Sequence, residues 1–324
     1  MTARPHVILP AAPTHHIVDL PLTRLHYIKC GQGPPLIMVP ATISDLNNWV
    51  PLTQFMGQSF TAYFFELPGH GKSTPFPQPF SSDLVAQTIE HLVDRLGIER
   101  FSVMGFSFGG VLAMKILARL ERRIERMILL SPAVITQALG YGWPRLVGLQ
   151  FMMALFCRPQ ICDLFIRFIR NEFTGRLAER FLRRVGRIED TIPLRKRLLE
   201  IDAATFDVLA HQMVEVLHLK PAGRRERYPQ TCYFAMSIND PVLDYSTTLS
   251  TVENQFVKTV WHTLDLPYHQ PPTFPQFSDL TGLYGDLLKQ LDDLEHNGKP
   301  PAGPERRLIE TAPGGYSGIQ ATPR

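Results

Sequence analysis

The chain has 324 residues, of which 44% are hydrophobic and 19% charged, a composition typical of a globular protein with a large buried core. Its net charge of only +3 argues against a nucleic-acid-binding protein, which would need a concentrated basic patch. No apolar stretch approaches about 18 residues, the length that indicates a membrane-spanning helix, and the N-terminus lacks the apolar core of a signal peptide. We therefore expect a cytoplasmic protein.

Up to residue 132 the pattern alternates between strands and helices. An N-terminal edge hairpin is predicted where apolar and polar residues alternate around a proline-containing turn, at residues 16–20 and 25–29. Continuous apolar runs then predict strands buried on both faces, separated by amphipathic helices. These strands are expected at residues 34–40, 61–67, 101–104 and 127–131, and the helices at about 49–58, 82–96 (N-capped by Ser82 or Asp83) and 111–120.

From residue 133 the strand pattern stops, and residues 133–227 read as a helical insertion. Helices are expected at residues 143–156, 160–172, 176–187, 194–201 and 207–219. The insertion holds 16 Lys and Arg against 10 Asp and Glu, a net charge of +6, which leaves −3 for the rest of the chain.

The strand and helix alternation resumes at residue 231. Strands are expected at 231–236 and 256–264, and helices at about 246–254 and 277–294. This order predicts an α/β fold with a mostly parallel central sheet flanked by helices, with a core of residues 1–132 and 228–296. The tail, residues 297–324, is rich in Pro and Gly and is predicted to be disordered.

One stretch, FSVMGFSFGG at residues 101–110, joins a predicted strand to a predicted helix and places Ser107 at the apex of the turn. A serine there takes strained backbone angles, and small residues two positions either side let strand and helix approach each other. The turn exposes the hydroxyl and points the helix N-terminus at the group that it attacks. Ser107 is therefore the candidate nucleophile.

Three further landmarks accompany this motif: the turn ELPGHGKS at residues 66–73, the turn NDPV at 239–242, and a histidine after the last strand. In this order and spacing, the chain resembles the α/β-hydrolase fold superfamily over about residues 20 to 295. The resemblance implies an esterase-like serine hydrolase with a helical cap inserted into the core. Serine rather than aspartate at the elbow disfavours the dehalogenase and epoxide-hydrolase branches.

The resemblance also implies the acid and the base of a catalytic triad in the chain order Ser, Asp, His. Asp240 and Asp244 are the alternatives for the acid; Asp240 is favoured because its turn matches the family's Gly-x-x-Asp-Pro-Val pattern, except that Ser237 replaces the glycine. For the base, His262 lies within an apolar strand pattern, whereas His269 lies in the loop that follows. His269 is therefore favoured.

The expected oxyanion hole departs from the family pattern, because the first central strand ends in Pro40, which has no N–H to donate. The expected donors are the backbone N–H groups of Thr42 (Ala41 being less favoured) and of Phe108, the residue after the nucleophile. A loop that fails to form the hole would leave a poor enzyme.

An apolar substrate pocket is expected where the insertion overhangs the nucleophile. Its predicted residues are Ala41, Phe106, Trp143 and Phe151. The arginine-rich segment at residues 167–187 alternates with large apolar residues; a solvated face is favoured there over contact with an anionic membrane surface.

These features predict a carboxylesterase-like serine hydrolase that acts on a small-molecule ester with a moderately apolar acyl group through an acyl-serine. The four cysteines are scattered without CxxC spacing, so no metal site is expected, and no other cofactor. An acyltransferase or a carbon–carbon bond hydrolase could use the same triad, and a non-catalytic binding protein could share the fold. The residues leave that choice and the oligomeric state open.

Overall fold

The computed structural model describes residues 12–43, 45–186, 199, 202–220, 226–270 and 275–297. The strands are β1 (Thr14–Asp19), β2 (Arg24–Cys30), β3 (Pro35–Val39), β4 (Thr61–Phe65), β5 (Phe101–Phe106), β6 (Ile124–Leu130), β7 (Tyr228–Ser237) and β8 (Phe256–Leu264). The helices are α1 (Leu46–Met56), α2 (Ser82–Arg95), α3 (Gly109–Leu120), α4 (Trp143–Phe156), α5 (Pro159–Arg170), α6 (Glu172–Gly186), α7 (Ala203–Val216), α8 (Tyr245–Gln255) and α9 (Phe277–Asn297). Short 3₁₀ turns lie at Glu121–Arg123 and Thr136–Leu139.

The eight strands form one sheet in the order β1-β2-β4-β3-β5-β6-β7-β8. The β1–β2 and β2–β4 pairs are antiparallel, and the other five pairs are parallel. Parallel strands buried on both faces need helices on both sides, as the doubly apolar strand sequences indicate. The structure confirms the predicted fold class and the N-terminal edge hairpin.

Two apolar cores cover the two faces of the sheet. On one face, α2, α3 and α8 contribute side chains such as Ile89, Leu112 and Val252. On the other face, α1 and α9 contribute side chains such as Phe55 and Leu287. The carboxyl ends of the parallel strands remain between these layers, and their loops are free to carry functional groups.

The N-termini of two helices differ from the predictions, α1 in its first residue and α2 in its capping residue. Helix α1 begins at Leu46 rather than residue 49, since the Asp45 carboxylate accepts a hydrogen bond from the Asn47 N–H (3.0 Å). Helix α2 is capped by Ser81, whose hydroxyl accepts from the Leu84 N–H (3.3 Å), so the expectation of Ser82 or Asp83 was wrong. A cap side chain satisfies N–H groups that the first helical turn leaves open.

Helices α4 to α7 lie between β6 and β7, in the helical insertion. Helix α7 holds the insertion to the sheet layers: Thr205 Oγ1 donates to the Gly69 carbonyl (3.3 Å), and Glu215 accepts hydrogen bonds from the Ser82 N–H and hydroxyl. Helix α5 packs on α7 and α6 packs on α5, and the three helices share a cluster that contains the buried Phe206. The predicted helix at 194–201, apart from helical Leu199, and the predicted disordered tail beyond Asn297 lie outside the described residues.

Among the described helices, none alone has both the length and the apolar composition to cross a bilayer. Helices α4 and α5 would reach that composition only together, and they are bent by 99° at the break between them.

Candidate active site

Ser107 lies at the sharp turn between β5 and α3, with a backbone φ of 54°. Its N–H donates to the Leu130 carbonyl (3.0 Å), and its own carbonyl accepts from the N–H groups of Gly110 and Ala133 (both 2.9 Å). A positive φ is uncommon in residues other than glycine and persists only where the surroundings fix it. These three backbone hydrogen bonds fix it here.

The glycines of the motif are required by close contacts. A Cβ atom added to Gly109 would lie 2.7 Å from the Val39 carbonyl oxygen and 2.9 Å from that of Pro40. A Cβ on Gly105 would overlap the Gly109 carbonyl. Glycine at both positions therefore lets α3 begin directly against the ends of β5 and β3.

His269 bridges the serine and an aspartate. Its Nε2 lies 2.8 Å from Ser107 Oγ, and its Nδ1 lies 2.6 Å from Asp240 Oδ2. The Asp240 side chain is fully buried and that of His269 is 13% exposed. Because a carboxylate can only accept, Nδ1 carries the proton, which leaves Nε2 to accept the serine hydroxyl proton.

Asp240 is held by its own turn, since its Oδ1 accepts from the N–H groups of Val242 (2.8 Å) and Leu243 (2.9 Å). The alternative acid, Asp244, caps α8 by accepting from the Thr247 N–H (2.7 Å), and hydrogen bonds from Thr247 lower its pKa. Of the two candidates, the structure brings Asp240 to the histidine.

The alternative base, His262, lies on β8 and is not part of this series of contacts. Its Nε2 lies 3.1 Å from Gln290 Oε1 on α9, and burial lowers its pKa. Its contact with α9 indicates a packing role.

Ser237 has a structural role that the sequence did not reveal, because there the residue stood out only as a replacement for the glycine of the family pattern. Its hydroxyl donates to the Leu266 carbonyl (2.7 Å) and accepts from the Leu266 N–H (2.8 Å) and the Asn239 N–H (3.1 Å). Asn239 Nδ2 adds a hydrogen bond to Asp265 (2.6 Å). Ser237 thus joins the loop that carries Asp240 to the loop that leads to His269.

The expected oxyanion donors lie close to the elbow. Phe108 immediately precedes α3, and the contacts of Gly109 place the carbonyl of Pro40 against the same helix start. Within the described part of the chain, the backbone N–H groups of Thr42 and Phe108 donate no hydrogen bond. Their role as oxyanion donors stays a prediction, and Ser44, two residues beyond Thr42, lies outside the described residues.

A cavity of about 60 Å³ lies beside His269, between the start of α1, the end of β8 and the start of α9. Phe106, next to the serine, lines it, with its ring centroid 5.6 Å from that of His269 and 5.9 Å from that of Trp49. The apolar part of its lining is mostly leucine: Leu52, Leu130, Leu264, Leu266, Leu280 and Leu283. Ser131, which also lines it, has the second positive φ among non-glycine residues of the described chain (41°).

Of the four predicted pocket residues, Phe106 alone lines this cavity. Ala41 is buried in the core formed with α1 and α9. Trp143 and Phe151 are largely exposed on α4. Their contact with a substrate stays a prediction.

Outside this site, His70 is the most perturbed histidine of the described chain. It is buried in the turn after β4, neither ring nitrogen has a hydrogen-bond partner among the described residues, and burial lowers its pKa to about 4. Among these residues, no three His, Cys, Asp or Glu side chains come together as a metal site.

Comparison with known proteins places this geometry in context. A family model described as the alpha/beta hydrolase fold matches residues 34–193. The chain is 29% identical over 191 residues to a pimeloyl-(acyl-carrier protein) methyl ester esterase of Stenotrophomonas maltophilia, a match that covers 56% of this chain and 65% of that protein. It is 27% identical over 134 residues to the dihydrolipoyllysine-residue acetyltransferase component of an acetoin cleaving system of Cupriavidus necator, covering 41% of this chain and 36% of that protein.

These sequence matches span less than two thirds of the relatives' own length. Among solved structures, an alpha/beta fold family hydrolase of Bacillus anthracis superposes with a TM-score of 0.61 at 15% identity, covering 87% of this chain and 99% of that chain. At that identity the likeness extends to the fold alone.

Proposed function

We propose that this chain, which belongs to the α/β-hydrolase superfamily, is a serine hydrolase that cleaves carboxylic esters with a moderately apolar acyl group. The observation that carries the proposal is the unbroken series of hydrogen bonds from Ser107 through His269 to Asp240 (2.8 and 2.6 Å). A serine hydroxyl is a weak nucleophile until a base takes its proton, and this series supplies the base and the group that orients it.

In the first half of the proposed reaction, Ser107 Oγ attacks the ester carbonyl while His269 Nε2 takes the hydroxyl proton. Asp240 stabilises the imidazolium that forms. The backbone N–H groups of Phe108 and Thr42 are the proposed donors to the oxyanion, where losing one donor costs about 3 kcal/mol of transition-state stabilisation. His269 then returns the proton to the departing alcohol, and the acyl group stays on the serine.

In the second half, His269 Nε2 takes a proton from a water molecule as its oxygen attacks the acyl carbon. The bond from that carbon to Ser107 Oγ then breaks, His269 returns the proton to Oγ, and the acid is released. The leucine-lined cavity beside His269 supports an apolar acyl group, because apolar chains bind in concave apolar sites that have a few polar groups at one end. The similarity to an esterase of methyl esters supports an ester as the substrate.

An acyltransferase is the second candidate function. It is supported by the similarity of this chain to the acetyltransferase component of an acetoin cleaving system. Here an alcohol or thiol acceptor, rather than water, would take the acyl group from Ser107. The two candidates share every step up to the acyl-serine, so they differ only in the nucleophile that ends the reaction.

Labelling with a fluorophosphonate tests the shared part of both candidates. We expect the wild-type protein to be labelled and Ser107→Ala to be inert, with an unchanged melting temperature as the control for folding. An unlabelled wild-type protein would contradict the proposal and favour a non-catalytic binding protein. For a labelled protein, p-nitrophenyl esters of graded chain length measure the acyl preference, and product analysis with an added thiol separates hydrolysis from transfer.

A further inference from the structure

Three consecutive helices of the insertion carry large apolar side chains on their solvent sides. On α4, Trp143, Val147 and Phe151 follow one another at one-turn spacing and are 76%, 51% and 67% exposed. The same spacing recurs in exposed residues on α5 and α6: Leu164 and Phe168, then Phe173, Leu177 and Phe181. Together these residues are called the apolar outer face. Elsewhere in the described chain, exposed large apolar residues are scattered along strands and loops and at the helical Leu199, which is ordinary for a globular protein.

The apolar outer face is not needed for packing within the insertion. Helices α5 and α6 already bury their opposite sides, with Ile166 and Ile169 packing near Ala178 and Phe206. Each helix therefore has two apolar sides, one toward the protein and one toward solvent. Exposed apolar residues that recur along neighbouring helices, rather than singly, are characteristic of interaction sites.

Arginines border the apolar outer face. Residues 159–186 hold six Arg against three Asp and Glu, a net charge of +3. On α6, Arg176, Arg180 and Arg184 recur every fourth residue, directly beside the stripe that begins at Phe173. Arg176 pairs with Glu172, whereas Arg180 and Arg184 form no ion pair with described residues.

The combination of exposed apolar side chains with bordering arginines favours a lipid bilayer over a second copy of the chain as the partner of this face. A second copy of the chain would bring two arginine-bordered faces together, and like charges across an interface oppose association. An anionic bilayer supplies both an apolar phase for the exposed rings and negative headgroups for the guanidinium groups. The 99° bend between α4 and α5 also suits helices that lie on a surface rather than cross it.

We propose that the apolar outer face docks on the surface of an anionic lipid bilayer, with its aromatic and aliphatic side chains in the acyl boundary and its arginines at the headgroups. The sequence alone favours a solvated face for this segment. The exposure of all three stripes in the folded chain is the reason that we propose the alternative. Docking would keep an enzyme with an apolar acyl pocket where apolar esters concentrate, but the binding itself does not depend on the proposed function.

Co-sedimentation with lipid vesicles tests the proposal, using Ser107→Ala throughout so that no lipid is consumed. Vesicles of phosphatidylcholine with about 30 mol % phosphatidylglycerol should bind the protein, and pure phosphatidylcholine should bind it far more weakly. Trp143 serves as a reporter: its emission should shift to the blue with anionic vesicles, and Trp143→Phe should remove that shift.

Two variants of the apolar outer face separate its apolar and charged contributions. Phe151→Ser/Phe173→Ser/Phe181→Ser should weaken binding about a hundredfold or more, since each ring leaves the acyl boundary. Arg180→Gln/Arg184→Gln should weaken binding to anionic vesicles about thirtyfold and leave pure phosphatidylcholine unaffected.

Matched controls change residues of similar exposure outside the apolar outer face. Ile17→Ser/Val257→Ser and Arg95→Gln/Arg122→Gln should bind as the unchanged protein does, and circular dichroism checks that every variant is folded. The proposal is overturned if anionic vesicles do not bind the protein, or if the controls weaken binding as much as the designed variants. A concentration-dependent dimer that the triple Phe variant abolishes would likewise overturn it, by assigning the face to a second copy.

Discussion

Helices α3 and α4 have similar apolar sequences and opposite environments. In α3, eight of twelve residues are buried, among them Leu112 and Ile116 with no exposure. In α4, none of the fourteen residues is fully buried: Trp143 and Phe151 are largely exposed, whereas Met153 packs against the sheet-layer core from the other side. Helix α3 buries most of its side chains in the core, whereas α4 packs one side on the protein and leaves a second apolar side exposed. The site geometry belongs to the first region and the apolar outer face to the second.

The largest effect expected in the sheet layers is on chemistry. Asp240→Asn should keep the shape of the turn but lower kcat about 10⁴-fold, because an amide cannot hold the His269 ring with its proton on Nδ1. Phe181→Ser in the insertion, assayed on the same short soluble ester, should leave kcat within about twofold. A comparable fall in both variants would break the separation between the two regions.

The second comparison is on stability. Leu112→Ala should lower the free energy of unfolding by about 3 kcal/mol, since it removes buried contacts and leaves a cavity under α3. Phe173→Ala, on the apolar outer face, should change it by less than about 0.5 kcal/mol. Urea denaturation of both variants measures the contrast, and a loss at Phe173 close to that at Leu112 would mean that the outer face is part of a folded core.

His70 lies where the two regions meet, next to Gly69, whose carbonyl accepts from Thr205 on α7. Its pKa is about 4, below its ordinary value of 6.5, because burial disfavours the charged ring. The contribution of His70 to stability is therefore fully present above pH 6.5 and is lost as the pH falls toward 4. Between pH 8 and pH 5 we expect a loss of about 2 kcal/mol.

His70→Leu isolates this contribution, because leucine does not titrate. The difference in unfolding free energy between pH 8 and pH 5 should shrink by about 2 kcal/mol in the variant. An unchanged difference would assign the acid sensitivity to other groups. Chemical denaturation at the two pH values measures both proteins.

The smallest expected effect concerns Ser237. Ser237→Ala leaves the Leu266 N–H and carbonyl without their partner, which should cost about 1 kcal/mol of stability. Because the hydroxyl positions the His269 loop, we expect kcat to fall about tenfold while KM stays nearly constant. Ser237→Thr, which keeps the hydroxyl, should recover part of the lost kcat. A kcat of Ser237→Thr no higher than that of Ser237→Ala would argue against the positioning role.

Much of the fold could be predicted because its signals are local. The doubly apolar strands, the glycines of the elbow and the chain order of Ser107, Asp240 and His269 all stand in the sequence. Helix starts were less accurate, since Asp45 and Ser81 compete as caps with neighbouring residues of the same type. The N-cap is the last residue before the helix whose backbone is not helical. Tertiary contacts, as well as local sequence, determine which residue that is.

The surroundings of the site could not be predicted in the same way. Trp143 and Phe151 were expected at the pocket because the insertion overhangs the nucleophile; both are largely exposed on α4, and neither lines the cavity beside His269. Which side of an apolar helix faces the protein depends on how α4 docks against α7, a contact between residues far apart in sequence. The role of the Ser237 hydroxyl could not be predicted for the same reason, because its hydrogen-bond partner Leu266 lies 29 positions later in the chain.

The hydrogen bond between Ser107 and His269 joins residues 162 positions apart, and this distance has a consequence for biosynthesis. A nascent chain leaves the ribosome from its N-terminus, so the elbow can form while the free edge of β6 still awaits β7. The entire insertion is translated in that interval. Until His269 has emerged, the serine has no base, and a truncated or stalled translation product would carry a complete elbow that cannot attack an ester.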